Sequence, residues 1–332
     1  MRIILDAMGS DHHPDPEVQG AIEASRRYGI EVILVGREEE LRPRLEALDT
    51  SGACITVVHA PEVLEMTDKP AETARRKAEN SMAVGMELLK KGEGDAFVTA
   101  GNTGGAMANA LFRLGRIRGV KRPALTALFP TRRGHCVVLD IGANAECKPE
   151  YLVQFAIMGS VYAEKVLGVS NPRVGLLSNG EEPGKGNDLV KATYPLLAES
   201  GLHFIGNVEG KELFGGEVDV VVTDGFTGNV LLKGSEAVVK LLIETLKEAM
   251  LSSWRTKIGA LLAQPAFDTL KSMLNPDEIG AAPLLGINGL VLVGHGRSGP
   301  VAITSALRAA KQAVEADLLN ELKSAIEARL HA

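Results

Sequence analysis

The chain has 332 residues, 45% hydrophobic and 23% charged, with a formal net charge of −6. This is the composition of a globular protein with ample apolar material for a core, and the acidic balance argues against nucleic acid as the main partner. No apolar run approaches the roughly 20 residues needed to cross a bilayer, and the apolar start is too short for a signal peptide, so a cytoplasmic protein, at most lying on a membrane surface, is expected.

Residues 2–5 read as a first strand, followed by a polar turn that begins at Asp6. Helical spacing over 16–28 ends at Gly29, which suits the left-handed position after a helix. Residues 31–35 are a second strand closed by Gly36, 38–48 a helix with Leu41, Leu45 and Leu48 on one face, and 55–59 a third strand. Such βαβ alternation signals a mostly parallel sheet with helices on both faces.

The alternation continues with a helix over 72–91 and a strand over 95–99 that leads into Ala100-Gly-Asn-Thr-Gly-Gly-Ala-Met107 and another helix. A strand over 136–140 leads into a polar loop and a helix over 151–167. A further strand over 173–177 leads into the glycine-rich loop 178–188 and a helix to residue 200. Four valines among residues 218–222 make a strand covered on both faces. Asp224-Gly-Phe-Thr-Gly-Asn229 then reads as a polar glycine loop before a long helix starting near Ser235. A last strand, 290–293, precedes the loop 294–300 and one helix over 301–330.

The pattern favours one continuous α/β unit over residues 1–332, interrupted only at 250–276, where no strand is found. There Trp254, Ile258, Leu261 and Leu262 fall on one face of a helix. That face either packs on the core or a second subunit, or projects as an amphipathic hairpin toward a membrane or an apolar substrate tail.

Ligands of open α/β sheets bind outside the carboxyl ends of strands. Asn102, Thr103, Asn144, Asn179, Lys185, Asp224 and Asn229 all fall there, and amide or hydroxyl groups can orient a polar substrate or stabilise an oxyanion. The Gly101-Asn-Thr-Gly104 turn either cradles an anion on its N–H groups or is simply a tight turn. No GxGxxG or GxxxxGK[ST] motif is present, nor a Gly-x-Ser-x-Gly elbow. Cys54, Cys136 and Cys147 lack metal-ligand spacing and read as free thiols, and His12, His13, His59, His135, His203, His295 and His331 are scattered. Direct attack by a bound anion is therefore favoured over a covalent nucleophile or a zinc site. Residues 111–135 hold Arg113, Arg116, Arg118, Lys121, Arg122, Arg132 and Arg133 without an acid. They form either a positive patch for an acidic partner or phosphate, or a solvated helix end and loop.

Asp6-Ala-Met-Gly, Ala100-Gly-Asn-Thr-Gly104, Asp140-Ile-Gly-Ala-Asn144, Ser178-Asn-Gly-Glu-Glu182 with Lys185-Gly186, Asp224-Gly-Phe-Thr-Gly-Asn229 and Ala282-Pro-Leu-Leu-Gly286 stand in order along the chain. Together they closely resemble the bacterial phosphate acyltransferase (PlsX) family, from residue 2 to about residue 310. The chain departs from the family pattern at Ser10 and at Gly280-Ala-Ala-Pro283, each a small-for-small change. The resemblance implies that inorganic phosphate attacks the thioester of a fatty acyl group on acyl carrier protein, giving an acyl phosphate for phospholipid synthesis.

It also implies a Rossmann-like three-layer α/β/α fold related to phosphotransacetylases and the isocitrate dehydrogenase group. A homodimer loosely attached to the inner face of the membrane, with no cofactor and no metal, belongs to the same expectation. On the matched positions Lys185 would bind phosphate, Asn229 would face the carbonyl oxyanion, and Asp224 would orient Lys185 or the Asn229 loop. Asn102, Thr103, Asn144 and Asn179, with Asp6, Gly101, Gly104, Gly186 and Gly228, would shape the substrate pocket. The cations of 111–135 would meet acyl carrier protein, and Trp254, Ile258, Leu261 and Leu262 would touch lipid or guide the acyl chain. A short-chain acyl-CoA phosphotransacetylase and a non-catalytic carrier-protein or membrane scaffold are the alternatives.

Overall fold

Ile3, Ile4 and Leu5 of strand β1 (Arg2–Asp6) are fully buried, with Ile3 and Leu5 against one face of the sheet and Ile4 against the other. Continuously apolar strands of this kind need cover on both faces. Helix α1 (Asp15–Tyr28) supplies it on one side through Val18, Ala21 and Ile22. Helix α3 (Ser81–Lys90) supplies it on the other through Met82 and Met86. The computed structural model describes residues 1–69, 72 and 76–330.

Between these elements lie β2 (Glu31–Gly36), α2 (Glu38–Glu46) and β3 (Cys54–His59). Then come β4 (Ala96–Thr99), α4 (Thr103–Arg113), β5 (Ala124–Thr131), β6 (Gly134–Leu139) and α5 (Pro149–Lys165). They are followed by β7 (Val174–Leu177), α6 (Asp188–Ala198), β8 (Phe204–Val208), α7 (Gly210–Gly215) and β9 (Val220–Val222). The long α8 (Gly225–Leu251) leads into α9 (Trp254–Leu262), α10 (Gln264–Leu274) and α11 (Pro276–Ile279). Strands β10 (Ala281–Leu285) and β11 (Val291–Gly294) and helices α12 (Pro300–Glu315) and α13 (Leu318–Leu330) complete the chain.

The strands form one sheet in the order β3-β2-β1-β4-β11-β10-β5-β6-β9-β7-β8. All neighbours are parallel except the central three pairs, β11–β10, β10–β5 and β5–β6. The mostly parallel, helix-covered sheet expected from the sequence is thus present, as two parallel halves joined by an antiparallel centre. Strand β10 makes the join. Its residues Ala281–Pro283 pair with β11, and only Leu284 and Leu285 pair with β5. Pro283 has no N–H to give to a ladder, so it suits the point where the strand changes partner. Beyond that point β5 keeps its ladder with β6 up to Thr131, and the two halves of the sheet diverge.

Several elements differ from the sequence reading. Strands β5, β8 and β10 were not expected. β5 and β10 each contain a proline, and their pairing is decided by distant neighbours rather than by local pattern. Of the helix expected over 72–91, the described residues 72 and 76 are helical and 77–80 are not; α3 begins at Ser81, where Asn80 Oδ1 accepts the Ala83 N–H at 3.0 Å. The 73–75 part of that expectation lies outside the described residues. The single helix expected over 301–330 is two, divided at Asp317, which takes a left-handed φ of 49° that aspartate tolerates better than most residues. Helix α8 starts at Gly225 rather than near Ser235, so the expected glycine loop is the helix's own first turns.

The seven cations of 111–135 do not form one patch. The 116–122 group precedes β5, and Arg132 and Arg133 follow its far end. Eight residues of strand at about 3.3 Å each place the two groups roughly 25 Å apart. Arg113 is meanwhile paired with Glu87 at 3.3 Å.

The 250–276 excursion is helical, as expected. Past Gly228 no residue of α8 is fully buried, and none of α9 is. Trp254, Ile258, Leu261 and Leu262 are 52–78% exposed. Among the described residues no helix is long and apolar enough to cross a membrane.

Candidate active site

The junction of the two half-sheets is built around Asp140, which is fully buried at the end of β6. Its Oδ1 accepts the N–H groups of Leu125 (3.1 Å), Gly142 (3.2 Å) and Ala143 (2.9 Å), and its Oδ2 accepts the backbone and side-chain N–H groups of Asn144 (2.7 and 2.8 Å). Burial raises the pKa of Asp140, and these hydrogen bonds oppose the rise. The carboxyl group thus gathers the start of β5 and the 141–144 loop at one point.

Helix α8 is seated on that loop. Asp224 is its N-cap, accepting from Thr227 N and Thr227 Oγ1, both at 2.8 Å, as aspartate does at helix starts. The Gly225 N–H donates to Asn144 O at 2.8 Å. A β-carbon at Gly225 would lie 2.6 Å from Asn144 O, and one at Gly228 only 1.9 Å from Asp140 O. The two glycines therefore allow the helix to touch the Asp140 loop; they are packing positions between backbone segments. One turn on, the amide carbon of Asn229 would lie 3.9 Å from a β-carbon at Gly142.

The divergence of the half-sheets leaves a cavity of about 1400 Å³. Its polar end is lined by Thr103 at the start of α4, Gly142, Asn229, and His295 and Arg297 beyond β11. From Asn229 it runs along α8 through Leu232, Val239, Ile243 and Met250, roofed by Phe267, Leu270 and Met273 of α10 and floored by Ala127–Phe129 of β5. At 1.5 Å per residue the stretch from Asn229 to Met250 is roughly 30 Å long. Glu236 stands near the polar end, with its Oε2 3.0 Å from Lys233 Nζ and its Oε1 3.6 Å from His295 Nε2. Burial lowers the pKa of His295, against the opposing effect of Glu236.

The other residues singled out in the sequence are placed as follows. Asn102 caps α4, its Oδ1 accepting from Gly105 N at 2.9 Å while its Nδ2 donates to Met66 O at 3.0 Å. Asn144 donates to Pro123 O (2.8 Å) and Asp140, and Asn179 Oδ1 accepts from Gly186 N at 3.0 Å. Asp6 is fully buried, accepting from Thr99 Oγ1 at 2.6 Å and Met8 N at 3.1 Å. Gly101 and Gly104 lie at the turn into α4, where Gly101 N donates to Thr99 Oγ1 at 2.9 Å.

Among the four asparagines, only Asn229 has a side-chain amide without a partner among the described residues. Lys185 is exposed in the loop after β7, and its ammonium group has no partner among the described residues. It does not line the cavity, although β7 and β6 flank β9 in parallel and so end at the same edge of the sheet. His295, Arg297, Glu236 and Lys233 were not foreseen as site residues. The loop 294–300 is legible as a strand end in the sequence, and only its neighbours in space set it apart.

Burial pushes the Cys147 thiol to about 12 and Cys136 higher still, so neither supplies a thiolate near neutral pH. Among the described residues one group of acids, Glu181, Glu209 and Glu212, is close enough to share a cation. Lys211 Nζ already pairs with all three.

A family model described as "Fatty acid synthesis protein" matches residues 1–321. A phosphate acyltransferase of Pelotomaculum thermopropionicum is 48% identical over 327 residues, covering 98% of this chain and 95% of that protein. One of Elusimicrobium minutum is 48% identical over 327 residues, covering 98% and 96%. Among solved structures, a phosphotransacetylase from Streptococcus pyogenes aligns with a TM-score of 0.60 at 17% identity over 95% of this chain and 94% of that one. A branched-chain phosphotransacylase from Enterococcus faecalis aligns with a TM-score of 0.60 at 13% identity over 95% and 99%. These structural likenesses establish the shared fold, and near-full-length identity close to one half establishes more: the chain is an acyltransferase and belongs to the phosphate acyltransferase (PlsX) family.

Proposed function

We propose that the enzyme moves a fatty acyl group from the thioester of acyl carrier protein to inorganic phosphate, giving an acyl phosphate for phospholipid synthesis. The observation that carries this reading is the shape of the cavity, whose polar end at Asn229 continues into a long apolar groove between α8, α10 and β5. Its volume exceeds the roughly 300–1,000 Å³ of pockets for drug-sized ligands. A short acyl group would leave most of the groove wet and unused. A fatty chain would fill it, at about 0.8 kcal/mol per buried methylene.

Phosphate is already anionic, and a thiolate is a fair leaving group, so the protein's work is alignment and oxyanion stabilisation. In this reading Asn229, which lines the polar end of the cavity, takes the second task. Lys185, a cation at the end of β7 without a partner among the described residues, holds the phosphate in this reading.

The test is phosphate-dependent thiol release with palmitoyl-acyl carrier protein, palmitoyl-CoA and acetyl-CoA as donors. The carrier-bound palmitoyl group should react fastest and acetyl-CoA slowest. Release from acetyl-CoA alone would make the enzyme a short-chain phosphotransacetylase, and none from any donor would leave a scaffold. In the same assay Lys185→Ala should raise the KM for phosphate about tenfold or more; unchanged turnover at low phosphate would remove Lys185 from that role.

The exposed apolar face of α9 is, in this reading, the part that meets lipid at the inner face of the membrane, in a homodimer. Replacing Trp254, Ile258 and Leu262 together by Glu should abolish co-sedimentation with anionic liposomes. Unchanged sedimentation refutes the lipid contact, and loss of the dimer instead assigns the face to subunit packing.

A further inference from the structure

We propose that His295 is a further catalytic residue of this site, the base that takes the proton of the attacking phosphate and returns it to the departing sulfur, with Glu236 as its positioning residue. This rests on the acyl-transfer reading above.

The placement follows from two elements. Strand β11 is parallel to β4 with Val293 opposite Thr99, so His295 and the Asn102–Thr103 turn emerge side by side. The loop that carries His295 is tied down by Ser298 N donating to His295 O at 2.9 Å and Asp11 N donating to Gly296 O at 2.7 Å. On α8, Asn229, Lys233 and Glu236 are spaced i, i+4 and i+7 and share one face, with Glu236 roughly 10 Å along the axis from Asn229. Glu236 Oε1 stands 3.6 Å from His295 Nε2. That is too long for a hydrogen bond but close enough for the carboxylate to stabilise an imidazolium. Thr103, Asn229, Glu236, His295 and Arg297 all line the one cavity. Neither ring nitrogen of His295 has a hydrogen-bond partner among the described residues.

The reaction needs such a group. Near neutral pH much of the phosphate is the dianion HPO₄²⁻, carrying one proton, and the alkyl thiol product is protonated below a pKa of about 8.5. A C–O bond forms between a phosphate oxygen and the carbonyl carbon, and the C–S bond breaks with its electron pair leaving on sulfur. The phosphate proton must end on that sulfur. His295 takes it and then gives it up, so the enzyme is unchanged at the end, in the manner of a base steadied by a carboxylate. The charged groups around the ring are Lys233 and Glu236 on α8, Asp277 on α11 and Arg297 in its own loop. Burial, Lys233 and Arg297 lower its pKa, while Glu236 and Asp277 raise it; the net effect is a lowered value, which keeps the ring neutral and able to accept a proton.

The test compares two donors on the full-length enzyme: palmitoyl-acyl carrier protein and the palmitoyl thioester of 4-nitrothiophenol, whose thiolate departs without needing a proton. His295→Gln should lower kcat about 100-fold with the carrier-protein thioester and less than about tenfold with the aryl thioester. Glu236→Gln tests positioning through the pH profile. The base works in its neutral form, so activity falls as pH drops through its pKa. Removing a carboxylate that raises this pKa should move the acidic limb of kcat/KM to lower pH. Phosphate's own titration is common to both enzymes, so the difference belongs to the protein. Equal losses with both donors, no loss with either, or an unmoved limb overturns the proposal. Inactivity of the unmodified enzyme toward every thioester overturns the acyl-transfer reading instead.

Discussion

Asn229→Ala should lower kcat by about 10²–10³-fold, the usual cost of deleting one oxyanion donor, or roughly 3–4 kcal/mol of transition-state stabilisation. Stability should hardly change. The side chain is exposed at the polar end of the cavity and has no partner within the protein among the described residues, so truncating it strands no buried group. KM for the acyl donor should change little, because the amide is asked to bind the oxygen more strongly once it carries charge. Asn229→Asp, which keeps the shape and puts an acceptor where a donor is required, should be worse than alanine. Steady-state thiol release beside thermal unfolding measures both halves of the prediction. A variant that keeps a third of the normal kcat would remove Asn229 from the oxyanion role.

The second large effect lies one residue earlier and has the opposite character. Gly228→Ala should cost about 3 kcal/mol or more of stability, at or above the upper end of ordinary overpacking. The added carbon would stand 1.9 Å from the carbonyl oxygen of Asp140. That oxygen belongs to backbone held in place by the five hydrogen bonds to the Asp140 carboxylate, so it cannot swing aside as a flexible side chain would. The first turn of α8 must lift instead, and Asn229 moves with it. A displacement of about 1 Å can cost some 100-fold in rate, so activity should fall together with the thermal midpoint. A Gly228→Ala protein with normal melting and normal turnover would show that the helix is not seated as described. Gly234, with open space at its β-carbon position, should accept alanine with no such penalty.

These two neighbours show how far residue patterns reach. Both belong to the polar glycine stretch Asp224-Gly-Phe-Thr-Gly-Asn229, which is conspicuous in the sequence and reads there as a ligand loop. In the fold it is a capped helix start. Asp224 accepts from Thr227, Gly225 and Gly228 make room for the Asp140 loop, and the Asn229 amide has no partner among the described residues. The same sorting applies to Asn102, Asn144 and Asn179, whose amides close turns and caps. Nothing in the sequence separates these from Asn229, because an amide's partners come from whichever backbone groups the tertiary fold brings near it. His295 shows the converse: its loop is recognisable as a strand end, and the carboxylate beside it lies 59 positions earlier in the chain, on α8.

The sequence by itself determined the class of the fold and the position of the polar loops after the carboxyl ends of strands. Buried parallel strands are runs of apolar residues, and a strand followed by a polar turn and a helix is a local pattern. It also carried the family blocks, which the near-full-length relatives uphold. The tertiary structure alone decided the cavity. That space exists because β10 leaves β11 at Pro283 and joins β5 for only two residues, so that two half-sheets diverge beneath α8 and α10. Partner exchange of this kind depends on pairings between segments more than 150 positions apart, Leu125 with Leu284 among them, and local pattern carries no record of such pairings.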